Sequence, residues 1–288
     1  MQVRFWGTRG SIPSPGPDTV RYGGNTPCVT VSSGGNSPLI FDAGTGIRVL
    51  GASLDALPPD EPLDLFLSHT HWDHIQGLPF FAPMFRPEIH LRIWGVDDPP
   101  GSLERTMRGL MSPEVFPVDF DQAGATIEFR SPPFDGTTVH DLTVRALAVH
   151  HPGGAVGYRI ENASGAAVIY VPDNELRGSA PDVAVLRDAL IAACRGATLL
   201  IHDSTYTEEE SADFMGWGHS TTDDALQLAI DAGVDTLVLF HHAPHRTDAD
   251  VDAMVEHCVA RADTRVKIIA AAEGMVLLGN RDSGIGNP

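Results

Sequence analysis

The sequence predicts an α/β (α+β) fold of two β-sheets packed face to face with helices outside. Three observations predict it. The first half of the chain is rich in short apolar runs and carries one helix. The second half alternates strands with helices. The composition, 42% hydrophobic over 288 residues, supplies a sizeable core. That length allows one large domain or two small ones. No linker, long low-complexity tract or internal repeat of clear period divides it, so 1–288 reads as one domain.

Val3 to Trp6 is the first strand, followed by a Pro/Gly-rich loop to Asn25 that is too long for a simple turn. Cys28–Ser33 and Leu39–Asp42 pair around Gly34-Gly35-Asn36, a hairpin signal. Asp42 to Gly46 opens a helix over Ile47–Leu57. Leu63–Leu67 and Ile89–Trp94 are buried strands. Pro99 to Phe120 holds a short helix and a proline-punctuated, partly apolar segment, either a cover for a pocket or a surface insertion. Strands follow at Thr126–Phe129, Leu142–Val149, Val156–Ile160 and Ala167–Val171. Ala180–Ala193 is helical and Thr198–His202 a strand. Thr221–Ala232 is a helix with Asp223 and Asp224 in its first turn and Gly233 at its end. After the strand Leu237–Phe240 comes a helix, Thr247–Ala262. Thr247 is its N-cap, and Val251, Met254, Val255, Cys258 and Val259 share one face. Val266–Ala271 and Met275–Leu278 close the chain as strands.

The net charge of −19 argues against a broad phosphate-binding surface, although a local basic patch is still allowed. Three widely spaced cysteines, Cys28, Cys194 and Cys258, give no disulfide framework and no zinc spacing, so core packing is their expected role. No signal peptide is visible. No stretch approaches the ~18 apolar residues that span a bilayer. A soluble cytoplasmic protein without membrane contact is the default expectation. The oligomeric state stays open, a homodimer included.

The chemistry centres on Ser68-His69-Thr70-His71-Trp72-Asp73-His74-Ile75-Gln76-Gly77, which follows a buried strand. Four metal-capable side chains fall within six residues, 69–74. His69 and His71, two apart on an extended backbone, point to one side. Asp73 and His74 come as the chain turns toward a helix and aim elsewhere. Crowded imidazolium groups would repel, whereas a cation takes their neutral forms as ligands. Two pairs suit two metal ions sharing a site, the usual clamp for hydrolytic displacement.

His-x-His-x-Asp-His after an apolar strand resembles the signature of the metallo-β-lactamase superfamily. The resemblance runs from Phe5 to about Thr247. It implies a four-layer αββα sandwich of two mixed sheets flanked by helices. In the phosphodiesterase and tRNase Z branch a ligand histidine stands six residues before Gly-Tyr-Arg, and His151 has that spacing to Gly157 whereas His150 does not. The bridging aspartate of the family corresponds to Asp173 in Tyr170-Val171-Pro172-Asp173. The last ligand follows an apolar run directly, which selects His241 and leaves His242 as a neighbour lining the pocket. The resemblance therefore implies His69, His71 and His151 on one ion, Asp73, His74 and His241 on the other, and Asp173 between them. Two divalent cations so held, zinc first with manganese or iron also suited, would make hydroxide from water near neutral pH.

Two further stretches bear on the leaving group. Leu200-Ile201-His202-Asp203 resembles a tRNase Z segment with an acidic residue at this place, although the family usually has the longer glutamate. Gly218-His219-Ser220-Thr221 resembles the family's His-Ser-Thr stretch. An imidazole held by a carboxylate keeps one tautomer and donates a proton to a departing alkoxide. His219 is the expected general acid, Asp203 its orienting partner, and Asp73 the third catalytic residue. Asp42 ends a buried strand near the family's acidic residue that orients a ligand histidine, or it shapes the glycine turn after it. His90, His140, His202, His245 and His257 read as solvated or packed histidines. The glycines of Gly7-Thr8-Arg9-Gly10-Ser11 and Gly23-Gly24-Asn25-Thr26, also shared with this branch, permit close backbone approach.

A metal-dependent phosphodiesterase acting on a small diester such as a cyclic nucleotide fits these features and the acidic charge. Four alternatives share the fold. A tRNA 3′-processing endoribonuclease would hold its substrate with a flexible basic arm, and no long basic glycine-rich insertion is seen. A lactonase or β-lactamase would not require Asp203 and His219. An iron-dependent oxidoreductase would need a redox partner such as a flavin domain, and a non-catalytic scaffold would be expected to lack ligands.

Overall fold

A computed structural model describes residues 1–54, 61–178, 181–262 and 266–279. The strands form two seven-stranded sheets. The first contains β1 (Gln2–Gly7), β2 (Cys28–Ser32), β3 (Leu39–Phe41), β4 (Leu63–Phe66), β5 (His90–Trp94), β6 (Thr126–Arg130) and, beside β1, β14 (Val276–Leu278). The second contains β7 (Thr137–Val139), β8 (Leu142–Val149), β9 (Ala155–Asn162), β10 (Ala167–Val171), β11 (Leu199–Asp203), β12 (Thr236–Phe240) and β13 (Lys267–Ala270). Both sheets are mixed. β14 to β3 pair antiparallel and β3 to β6 parallel. β7 to β10 pair antiparallel and β10 to β13 parallel.

The pleat decides which side chain enters which layer, because alternate residues face opposite ways. Phe41 and Phe66 enter the cluster between the sheets, while Ile40 and Leu65 enter the one outside the first sheet. In the second sheet Ile201, Val238 and Phe240 face inward, and Leu200, Leu237 and Leu239 face outward. Helices α1 (Gly46–Ser53) and α3 (Ser102–Gly109) cover the outer face of the first sheet through Ile47, Leu50, Leu103 and Met107. Helices α4 (Pro181–Cys194), α5 (Thr222–Ala232) and α6 (Asp248–Arg261) cover the second through Leu190, Leu226, Leu228, Val251 and Met254. The order helix, sheet, sheet, helix is the four-layer αββα sandwich. One helical turn, α2 (Trp72–Ile75), follows β4 within the histidine motif.

Most expected elements are present within a residue or two. Thr221 and Thr247 each close a capping box, with Asp224 and Asp250, and Gly233 ends α5 in the left-handed region at φ 63°. α1 ends at Ser53, and the last three residues expected of it, 55–57, lie outside the described residues, as does Ala180. One expectation needs correction, one strand is added and one open question closes. β7 is an additional strand, unexpected because Thr137-Thr138-Val139 lacks an apolar run. Val259 is 55% exposed, since the buried face of α6 stops at Val251, Met254 and Cys258. Of the two readings open for 99–120, the structure supports the insertion, since Leu103, Met107, Met111 and Phe120 pack on the outer side of the first sheet. All three cysteines are buried and unpaired, as expected of core packing. No helix among the described residues is long and apolar enough to cross a membrane.

The inter-sheet cluster is aromatic at its centre. Phe66 stacks on Phe41 at 5.3 Å and on Trp94 at 5.5 Å, and Tyr158 meets its edge at 5.5 Å. Phe66→Ala should lower stability by about 3–5 kcal/mol through lost burial and an unfilled cavity. Urea unfolding checks this, with a lower midpoint and an unchanged slope expected.

Candidate metal centre

The site forms at one edge of the sandwich because the strands that carry it end there. β10, β11 and β12 run parallel, so Asp173, Asp203 and His241 emerge side by side at their C-terminal ends. β8 runs in the same direction as β10, since each is antiparallel to β9, and it delivers His151. β3 and β4 are parallel in the facing sheet and deliver Asp42 and His69.

Three groups assemble there. The ligand atoms of His69, His71 and His151 all lie within 4.8 Å of one another, as do those of Asp73, His74 and His241, and those of His69, His74 and Asp173. Asp173 stands between the first two groups. Its Oδ1 is 3.0 Å from His74 Nε2 and 3.4 Å from His241 Nε2. Its Oδ2 is 3.9 Å from His69 Nε2 and 3.8 Å from His151 Nε2. Asp73 Oδ2 lies 3.2 Å from His74 Nε2 and 3.1 Å from His241 Nε2. The structure thus brings together all seven residues that the sequence singled out as ligands.

The outer nitrogens of the histidines are engaged. His74 Nδ1 donates to Asp42 Oδ2 at 2.9 Å. His151 Nδ1 donates to the Gly218 carbonyl at 2.8 Å. His69 Nδ1 lies 3.0 Å from Ser68 Oγ, which itself donates to Asp42. His241 Nδ1 lies 3.0 Å from Thr205 Oγ1, which donates to Asp203 Oδ1 at 2.7 Å. With Nδ1 as the donor, the Nε2 atoms of these four turn inward, where a cation would take them as lone pairs, whereas His71 turns Nδ1 toward His151 Nε2 at 3.0 Å.

The residues present fit two cations. His69 Nε2, His74 Nε2 and Asp173 Oδ1 are buried with no hydrogen-bond partner. Three such atoms converging on one point would cost about 1–3 kcal/mol each if left unpaired. Burial holds His69, His71 and His151 below the ordinary histidine range, which keeps them neutral. Burial also opposes ionisation of Asp73 and Asp173, yet the surrounding histidines hold both well below the carboxylate range. His74 is pushed up despite burial, because Asp73, Asp173 and Asp42 surround it. Neutral His69, His71 and His151 beside the ionised Asp73 and Asp173 form a cation-seeking donor set, from which a bound cation would displace the His74 proton.

His219 and Asp203 meet as expected, with Nδ1 2.8 Å from Oδ2. Burial would lower the His219 pKa, but the Asp203 carboxylate outweighs it and raises the value to about 9. Ser11, Thr70, His71, Trp72, Asp73, Asp173, His219 and His241 line the open cavity. Trp72 is 74% exposed there. His242 does not line this cavity, contrary to expectation. It is buried behind it, with Nε2 donating to the Ala271 carbonyl. His90, His140, His202, His245 and His257 enter none of the candidate metal groups among the described residues. A larger cleft beside α5 is lined by Arg177, Glu208, Asp223, Asp224 and Arg261, which already pair with one another.

Sequence reasoning missed Ser68, Thr205 and the Gly218 carbonyl as orienting groups. It also missed Glu175, whose carboxylate accepts from Gly216 N–H at 2.7 Å and Gly218 N–H at 3.0 Å, fixing the carbonyl that holds His151. Adjacency to a ligand was the one usable signal, at Ser68.

The His219–Asp203 pair has a measurable consequence. Its folded pKa of about 9 lies above the ordinary 6.5. Protonation therefore favours the fold fully below pH 6.5, and that contribution is lost as pH rises through about 9. NMR titration of the metal-free protein should place the His219 ring near 9, and Asp203→Asn should move it down. A midpoint at the ordinary value in the unaltered protein would contradict the pairing.

The comparisons with known proteins agree with this geometry. The beta-lactamase superfamily domain matches residues 38–242, well over half of the chain. A ribonuclease Z of Gemmatimonas aurantiaca is 29% identical over 295 aligned positions, covering 84% of this chain and 85% of the relative. The short form of human tRNase Z superposes with a TM-score of 0.67 at 20% identity, covering 97% of this chain and 100% of that one. A diphosphatase of the PhnP family superposes with a TM-score of 0.66 at 17% identity, covering 96% and 97%. Sheet order, histidine motif and family match together make this chain a member of the metallo-β-lactamase superfamily.

Proposed function

We propose that this chain is a metal-dependent hydrolase of phosphodiester bonds. The observation that carries this is the His219–Asp203 pair at the wall of the cavity that also exposes Asp73, Asp173 and His241. Alkoxide leaving groups of phosphodiesters need a proton, and a positioned histidine is the usual donor. Nδ1 of His219 is committed to Asp203, which leaves Nε2 for the departing oxygen. Two divalent cations held by the seven ligands, zinc first among them, supply Lewis acidity and a hydrolytic nucleophile from water at neutral pH. The chain's own part is orientation. Asp42 and Ser68 aim His74 and His69, Thr205 aims His241, and Asp203 serves both His241, through Thr205, and His219.

His219→Ala should lower kcat by about 10²–10⁴-fold on a diester with an alkoxide leaving group. The loss should be far smaller on bis(p-nitrophenyl) phosphate, whose phenolate departs without a proton. Equal losses on both substrates would assign His219 to binding and not to proton donation.

The aligned relatives favour RNA over the small diester expected from charge, so a ribonuclease Z-type 3′-processing activity is the first substrate reading. The small diester stands as the second on a specific observation. The net charge is −19, and the cavity lining contains neither arginine nor lysine. Metal-reconstituted protein offered precursor tRNA and a cyclic nucleotide side by side separates the two. The RNA reading expects cleavage of the precursor with a kcat/KM that falls steeply with salt. Turnover of the cyclic nucleotide with no RNA cleavage would reverse the order.

A further inference from the structure

The Gly7–Ser11 loop takes no part in the chemistry above, yet it touches one half of the centre. Its Arg9 is wholly buried. Arg9 Nε donates to the Gly23 carbonyl at 2.7 Å, and Nη1 donates to the Arg246 carbonyl at 2.7 Å and to that of Ala243 at 3.3 Å. The backbones bond as well. Gly10 N–H donates to the His242 carbonyl and His242 N–H to the Thr8 carbonyl, both at 3.0 Å. One guanidinium thus joins its own loop, the turn at Gly23 and the chain just beyond β12. The carboxylates of Asp248 and Glu273 balance its charge, and they also hold the Arg21–Asn25 backbone at Arg21, Tyr22 and Asn25.

The latched loop shapes two ligands. Ser11 N–H donates to Asp73 Oδ2 at 2.7 Å, from a left-handed backbone at φ 64°. Gly10 lies against the His241 ring, so closely that a Cβ there would sit 2.3 Å from Cε1 and Nδ1. His241 itself has φ 61°, a left-handed conformation that non-glycine residues seldom adopt. No hydrogen bond from this loop reaches His69, His71 or His151 among the described residues. His69 rests on Ser68 and His151 on the Gly218 carbonyl, while His71 Nδ1 lies 3.0 Å from His151 Nε2.

We infer that Arg9 is a positioning residue for the Asp73–His74–His241 half alone, setting that half's cation affinity without affecting the His69–His71–His151 half. The inference rests on the dinuclear reading of the site. Lysine cannot replace the fork, because one ammonium does not span carbonyls on two separate segments with the same rigidity.

Stepwise zinc titration of metal-free protein against a chelating dye tests it. Imidazole nitrogen shifts of His151 and His241 report which half fills. In Arg9→Lys the dissociation constant of the His241 half should rise about 10–100-fold, with the His151 half changed by less than about threefold. Parallel loss at both halves, or no loss at either, overturns the inference. A single ion in the unaltered protein overturns the dinuclear reading itself. Should Arg9→Lys fail to fold, amide hydrogen exchange of the unaltered protein decides between the outcomes. Exchange at Gly10 and Ser11 should slow only as the His241 half fills, and identical exchange with one and two ions overturns the inference.

Discussion

The two oxygens of Asp173 hold the centre together, one toward His74 and His241 and the other toward His69 and His151. An imidazole offers one inward lone pair and cannot face both groups. A buried carboxylate carries a desolvation penalty of several kcal/mol, which must be offset by charge or hydrogen bonds nearby. The fold supplies them by ending parallel strands of both sheets at one edge. Ligands in α/β sheets bind outside such carboxyl ends, because side chains from several strands converge there without bending a strand. Moving the ligands one residue along β12 would turn His241 away, as the neighbouring His242 shows by pointing to Ala271.

Orientation of the outer nitrogens follows from the same constraint. Asp42 receives Ser68 N–H, Ser68 Oγ, His74 Nδ1 and the Tyr170 hydroxyl, so one buried carboxylate fixes His74 directly, His69 through Ser68, and a core aromatic. It does so from φ 61°, a backbone position that non-glycine residues seldom hold. Asp203 has the corresponding place in the second sheet, reaching His241 through Thr205 and His219 directly. Each sheet thus contributes one buried acid that acts through a hydroxyl-bearing neighbour. Such paired networks are costly when half satisfied and rigid when complete.

Much of this was legible in the sequence. Short continuous apolar runs located β4, β8, β10, β11 and β12, and the candidate site residues stand at or just past the ends of those runs, where a residue resemblance could be checked position by position. What stayed hidden has physical reasons. Ser68 and Thr205 are orienting groups, but serine and threonine stand beside many strand ends without any such role. Arg9 spends its donors on backbone carbonyls, two of them more than two hundred residues away, and carbonyls leave no mark in a sequence. Thr137–Val139 is a strand only because β8 offers it an edge. Proline punctuation in 99–120 marked an irregular segment correctly and could not say which face of the sheet it covers.

The weight given to net charge shows a different boundary. A charge of −19 summed over the chain describes a field that salt screens within about 8 Å at physiological ionic strength. A phosphodiester in the cavity meets instead the imidazoles and carboxylates of the wall, together with any cations they hold. Global acidity therefore governs how fast a polyanion arrives and how steeply that rate depends on salt. On the proposed function, which bond is cut would be decided within hydrogen-bond distance of His219 and Asp173. Acidic composition and relatives named as ribonucleases are compatible for that reason, and the proposed substrate would be selected by the residues around the mouth, where exposed Trp72 stands beside Asp73.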